Sequence, residues 1–531
     1  MLPTAHRACL TQLIGLPHRV LPLILLAGCT LATDTTIRAG LGKPCVSNDD
    51  CAGAICQKGA VLTEPEAGVC SLACSSNADC LDGTICAAQY CHVPLTVGLT
   101  VPLNPVPSDA WSLTFADGVT KAAAELPYIK LDRMFVPTPL ANSLDSMRAL
   151  AMRNRVLLGH QLEYLPNLTI LATENPLHVF LGVSSANPYT LPDSPTNLGQ
   201  VYLHTEEAYY IAGRLAAKSS AKRLGVIAGV IGPESIRNVN AFALGARQEK
   251  PGIVVEVRHL GYYYDSGAAP TYSYAGSMYY REEYLARLLW EAGAEVVLDM
   301  SHRNDRARKL LHVHDAMRPV LSIISHVPFG TGDLDPSVEK SVLAGILENW
   351  MPVSLQVLEQ IHRGRLSPAT RVGFDLAEGD KPPFTVSVNR NARTGLDRDD
   401  DAVFFIRELA NSRDPAWLKI WTGPFKTNGQ RDQDGNGIPD QAQDVSASSG
   451  LGVEEISKMC FFVDGVVEKK ALNDPLSGDQ PALVPGGLVP LSTSAESAVP
   501  AVSDTVDKLV LPLGQSSNCR KNARWIFRSN G

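Results

Sequence analysis

The 531-residue chain lacks any internal apolar run long enough to span a bilayer. It also lacks an excess of basic charge. Its 47 Lys and Arg stand against 55 Asp and Glu, for a net charge of −8. That balance excludes a general nucleic-acid or anionic-membrane surface. It lacks a Gly-x-Ser-x-Gly, a His-Glu-x-x-His and a phosphate-loop lysine in context. Its twelve histidines are scattered. His312 and His314 stand two apart in a helical stretch, which points them to different faces. No enzyme is expected.

What is present begins at the N-terminus. Arg7, His18 and Arg19 precede a short apolar run, Val20 to Ala27, which ends Leu26-Ala27-Gly28-Cys29. Small residues before a cysteine, straight after such a run, predict a lipoprotein signal peptide over 1–28. Cleavage would leave Cys29 as the acylated first residue of a tether, 29–44, placing the protein in the cell envelope on a membrane.

The twelve cysteines then sort themselves. Cys9 leaves with the signal and Cys29 takes lipid. Eight fall between Cys45 and Cys91, in a stretch with few large apolar residues, so cross-links must replace a core over 45–92. The stretch repeats: Cys45-Val-Ser-Asn-Asp-Asp-Cys51 against Cys74-Ser-Ser-Asn-Ala-Asp-Cys80, each followed by a further cysteine, Cys56 or Cys86. No paired Cys-x-x-Cys ligands occur, and an exported chain disfavours zinc, so disulfides are expected, with open connectivity. Cys460 and Cys519 are the pair left over, and their bridge would pin back the Pro-rich tail 474–531.

The rest of the chain is organised around Thr205 to Asp265. Ala208, Ile211, Ala212, Leu215 and Ala216 form one helical face, with Thr205 as its expected cap. Leu224 to Ile231 is an apolar run suited to a strand buried on both faces. Ile236, Val239, Phe242, Ala243 and Ala246 give a second helix, and Ile253 to Val257 the next strand, a βαβ unit. Strands are also expected at Leu95–Val101, Val156–Gly159, Val179–Val183, Glu295–Met300 and Val320–Ile324, and a helix over Ser341–His362. Strands that each end in a polar cluster fit an α/β fold with ligand contacts at the carboxyl edge.

The segment Tyr209-x-x-Ala212-Gly213-x-Leu215-Ala-Ala, the Gly-rich strand after it, Asn240-Ala-Phe-x-x-Gly245-Ala246 and the Tyr-Tyr-Asp ending resemble the basic membrane protein (BMP) family. Trp421-Thr-Gly-Pro-Phe425 and Met459-Cys-Phe-Phe-Val-Asp-Gly-Val466 are similar to its closing elements. The family comprises lipoprotein substrate-binding proteins similar to the purine-nucleoside receptors of ABC importers. The resemblance implies a two-lobed type I periplasmic-binding-protein fold over 95–473, a nucleoside- or nucleobase-like ligand in the interlobe cleft, and an ABC permease as partner. It implies that Asp109 and Trp111 face the ligand.

Further cleft candidates are strand-end residues: Asn187, Ser301, His302, Ser325 and His326. Family members place an acidic residue after the late lobe-two strand, where this chain has Ser325-His326, so base contacts are expected to outweigh ribose contacts. A second constellation is Asp432, Asp434, Asn436 and Asp440, with the Ile438 carbonyl and Gly437, which matches the start of a calcium loop. Gln443 stands where a closing Glu is usual. Because the loop lies in a connecting segment and offers no obvious open position for substrate, the calcium ion expected there is structural. The rival function is a surface interaction lipoprotein, in which the cysteine module and the calcium loop face a partner and no transport occurs.

Overall fold

The computed structural model describes residues 41, 43–51, 54–57, 68–87, 89–102, 110–136, 143–160, 164–183, 195–219, 221–229, 233–260, 271–274, 277–301, 310–311, 320–325, 336–363, 371–374, 383–389, 404–406, 408, 419–423, 425–428, 444–445, 459, 462–463 and 465–468. Among them no helix is long and apolar enough to cross a membrane.

The cysteine-rich stretch is built on bridges. Strands Pro44–Cys45, Ile55–Gln57 and Gly68–Ser71 form an antiparallel sheet, and Ile85–Ala87 pairs with Tyr90–His92. The disulfides are Cys45–Cys56, Cys51–Cys70, Cys74–Cys86 and Cys80–Cys91. Each half joins its first cysteine to its third and its second to its fourth. The repeat extends to hydrogen bonds. Asp50 Oδ2 accepts the Val46 and Ser47 amides at 2.8 and 2.9 Å, and Asp79 Oδ2 accepts those of Ser75 and Ser76 at 2.7 and 2.8 Å. Asn48 and Asn77 accept the amides of Cys56 and Cys86, both at 2.8 Å.

The chain then enters lobe 1: β1 (Leu95–Pro102), α1 (Ala110–Glu125), β2 (Ile129–Val136), α2 (Ser143–Arg153), β3 (Val156–Gly159), α3 (Leu165–Glu174), β4 (Val179–Val183) and β5 (Leu198–Leu203). These strands run in the order β2-β1-β3-β4-β5, every pair parallel. Val97, Leu99, Leu157, Leu158, Phe180 and Leu181 are buried, as a sheet covered on both faces requires.

Lobe 2 repeats the plan: α4 (Glu206–Lys218), β6 (Arg223–Ala228), α5 (Pro233–Glu249), β7 (Val254–His259), a hairpin of β8 (Thr271–Tyr274) and β9 (Ser277–Tyr280), α6 (Arg281–Glu291), β10 (Val296–Asp299), β11 (Leu321–Ser325) and β12 (Val342–Glu348). Its parallel order is β7-β6-β10-β11-β12. The chain returns through α7 (Trp350–His362) to β13 (Arg371–Phe374), which joins lobe 1 beside β5. It crosses again to β14 (Phe384–Val388), antiparallel to β12. A small antiparallel sheet follows, made of β15 (Phe425–Asn428), β16 (Asp444–Val445) and β17 (Phe462–Val463). Finally β18 (Val466–Glu468) pairs in parallel with β7. Two like-ordered lobes joined by three crossovers make the two-lobed type I periplasmic-binding-protein fold, preceded by a disulfide-rich module.

Each lobe lends the other a helix. After lobe 1, α4 packs on α5 of lobe 2; after lobe 2, α7 packs on α1 of lobe 1. Both contacts need glycine. A Cβ on Gly213 would overlap the Phe242 carbonyl, and one on Gly245 the Tyr210 carbonyl. A Cβ on Gly118 would lie 2.5 Å from that of Trp350. Asn240 of α5 fixes the closing elements: its Oδ1 accepts the Val463 amide at 2.9 Å, and its Nδ2 lies 3.0 Å from the Met459 sulfur.

Two local expectations are corrected. Ser341–His362 is not one helix. Val342–Glu348 is a buried strand, and the helix starts only at Trp350. Pro352 carries the reason: it fits the first turn of a helix but would break the interior of a longer one. Thr205 does not cap α4 through its side chain. Its hydroxyl instead donates to Asn238 Oδ1 at 3.1 Å, tying the crossover to α5.

Candidate ligand cleft

In open parallel sheets, ligands bind outside the carboxyl ends of the strands, where the strand order reverses. Lobe 1 reverses between β1 and β3, and lobe 2 between β6 and β10. Two sets of contacts bring these edges together.

The first set is aromatic. His160 directly follows β3 and is buried. Its ring stacks on Phe115 of α1 at 4.0 Å and 7°. Trp111, half-buried in the first turn of α1, covers His160 at 4.0 Å and 42°. Trp350 meets Phe115 at 5.2 Å and His160 at 5.5 Å, nearly perpendicular to both. Trp350 arrives from the end of β12, so a strand of lobe 2 closes the aromatic group of lobe 1.

The second set is ionic. His204, at the end of β5, places Nδ1 3.0 Å from Glu206 Oε1. Arg237 of α5 places Nε 3.3 Å from Glu206 Oε2. All three residues are buried. Burial alone would raise the Glu206 pKa, but Arg237 and then His204 outweigh it and hold the carboxylate at about 2. The three groups form a buried ionic joint between the lobes.

On lobe 2, Asp299 and Ser301 lie at the carboxyl end of β10, both buried, and the Ser301 amide donates to Asp299 Oδ1 at 2.9 Å. The Ser301 hydroxyl has no partner among the described residues. Of the residues expected from sequence, Trp111 and Ser301 thus stand at the two strand-order reversals. Ser325 is the last residue of β11. Asp109, Asn187, His302 and His326 lie outside the described residues, as do Cys29, Cys460, Cys519 and the expected calcium ligands Asp432, Asp434, Asn436, Ile438 and Asp440. Sequence reasoning places His160 at the end of its strand without counting it among the ligand residues, and it missed Phe115, Trp350 and Asp299 as members of this edge. A histidine straight after a buried strand and a tryptophan two residues before a helix-opening proline were the available signals.

With this geometry in place, the chain can be set against known proteins. Residues 141–283 match the Bmp family model. That family is described as "ABC transporter substrate-binding protein PnrA-like". The match runs from α2 into the first turn of α6 and supports a substrate-binding role in import. No curated protein matches the chain. Solved structures that the chain is similar to include an ABC transporter solute-binding protein from Conexibacter woesei, at 16% identity and a TM-score of 0.45, covering 61% of this chain and 99% of that one. Another is a solute-binding protein from Aeropyrum pernix, at 15% identity and a TM-score of 0.45, covering 62% and 89%. A third, from Agrobacterium vitis and bound to α-D-tagatopyranose, has 15% identity and a TM-score of 0.40, covering 59% and 98%.

Proposed function

We propose that the protein is an exported, lipid-anchored binding protein that takes a nucleobase- or nucleoside-like ligand between its lobes for an ABC permease. The observation that carries the ligand class is the aromatic group at the lobe 1 reversal. Trp111 meets His160 at a tilt of 42°, and His160 is itself stacked on Phe115. An indole at a cleft edge suits a planar ring. Ser301 would add a hydroxyl from lobe 2. The Bmp match supports substrate binding for an ABC importer.

Adenine, guanine, hypoxanthine and their nucleosides should be titrated calorimetrically against wild type and Trp111→Ala. Loss of a stacked ring should cost about 1–3 kcal/mol, roughly ten- to a hundredfold in affinity. If no purine or pyrimidine binds at millimolar concentration, the ligand class is wrong. If one binds and Trp111→Ala leaves it unchanged, the platform lies elsewhere. The anchor has its own test: labelled fatty acid should enter the wild type, and Cys29→Ala should leave the membrane fraction. An unmodified Cys29 in the mature protein would sink it.

A further inference from the structure

Among the described residues, the cysteine-rich module meets lobe 1 at the pole far from the cleft. Tyr128 immediately precedes β2, His362 ends α7, and Val93 leads into β1. In a parallel α/β layer, helices run against the strands, so all three mark the amino edge of the lobe 1 sheet. The ligand edge is the carboxyl one.

The contact there is closely built. His92 of the module stacks on Tyr128 at 4.4 Å and 16°. Tyr128 meets His362 on its own account at 4.2 Å. His362 Nε2 donates to the Val93 carbonyl at 2.9 Å, and the Leu95 amide donates to that of Tyr128 at 2.9 Å. Ala87 is buried in the same core as the lobe 1 strands, and Ile85 packs against it. The first half of the module is tied to the second. The Cys91 amide donates to Leu72 O and the Cys74 amide to Gln89 O, both at 2.9 Å, and Ser71 Oγ donates to Cys91 O at 3.0 Å. Flexible domain joints are exposed, polar and Gly- or Pro-rich, with few contacts across them. Only His92, Val93 and Pro94 separate the last module cysteine from β1, and His92 is buried.

We propose that the module is a rigid mount, which fixes lobe 1 by its pole opposite the cleft to the anchored end of the chain and leaves lobe 2 as the moving lobe. The last clause rests on the binding-protein reading above; the rigidity does not. Spin labels carried on unnatural amino acids at Asp82, Leu177 and Glu291, all exposed, report on the module, lobe 1 and lobe 2. The Asp82–Leu177 distance should be single and narrow without ligand, and unchanged by a saturating purine, while Asp82–Glu291 shifts. His92→Ala with His362→Ala should broaden Asp82–Leu177 and leave Leu177–Glu291 as it was. A broad Asp82–Leu177 distribution in the wild type, or one that the double variant does not alter, overturns the mount. If a purine or pyrimidine binds calorimetrically but leaves Leu177–Glu291 unmoved, the lobe 2 clause falls while the binding reading stands; if none binds, the binding reading falls, and the ligand-free width still decides the mount.

Discussion

His92 lies against Tyr128 with both rings out of water, and this sets how the junction responds to acid. Burial is the main cause that pushes the His92 pKa from 6.5 down to about 4, with His362 adding to it. Burial also lowers His362, against the bond to Val93. Glu359 and Arg363 complete the charged surroundings through Tyr128. The sign follows from linkage. Between about 4 and 6.5 the unfolded chain binds the His92 proton and the folded one does not, so stability falls as pH falls through that window and is full above it. Thermal melts from pH 7 to pH 4 should therefore show a larger loss for wild type than for His92→Phe, which keeps the stack without the titration. Equal losses in the two proteins would remove His92 from the account.

The helix pair α4–α5 shows what an element needs beyond its propensity. Replacing an exposed mid-helix glycine by alanine ordinarily gains about 1 kcal/mol. At Gly213 and Gly245 the sign should reverse, because the added Cβ meets the backbone carbonyl of the other helix. Forced overpacking costs about 1–3 kcal/mol. Gly213→Ala should lower the urea midpoint with little change in slope. A raised midpoint would mean that the helices separate freely. Gly213 and Gly245 both belong to the segment that resembles the BMP family, and each is held by backbone contact with the other helix.

Across the molecule, the module and the cleft stand at opposite edges of lobe 1, so their stabilities should be separable. Replacing Cys45 and Cys56 by serine removes a bridge spanning 11 residues. Bridges closing loops of about this size contribute roughly 2–4 kcal/mol. Hydrogen exchange should rise in peptides covering 43–57, while the affinity for any purine that binds stays the same. A matched loss of affinity would show that the module helps to shape the cleft.

Much of this architecture follows from local pattern. Apolar runs such as Leu224–Ala228 specify strands buried on both faces whatever surrounds them, and glycine and proline breaks space them. Even cysteine pairs in a stretch poor in large apolar residues demand cross-links. The repeat of Asn and Asp between the cysteines specifies the same turn twice, because each side chain bonds to amides within its own half. What pattern did not determine were the partners. Ile129–Val136 carries Lys130, Asp132 and Arg133 in an edge strand, so its alternation is too polar to announce itself. Val342–Glu348 and the helix after it are both rich in apolar residues, and only pairing with β11 and β14 assigns the first part to a sheet. The disulfide pairing, the meeting of Trp111 with His160 and Trp350, and the bonding of Glu206 to Arg237 join residues from separate elements. Their distances are set by how whole helices and sheets pack, and no local spacing in the chain encodes that.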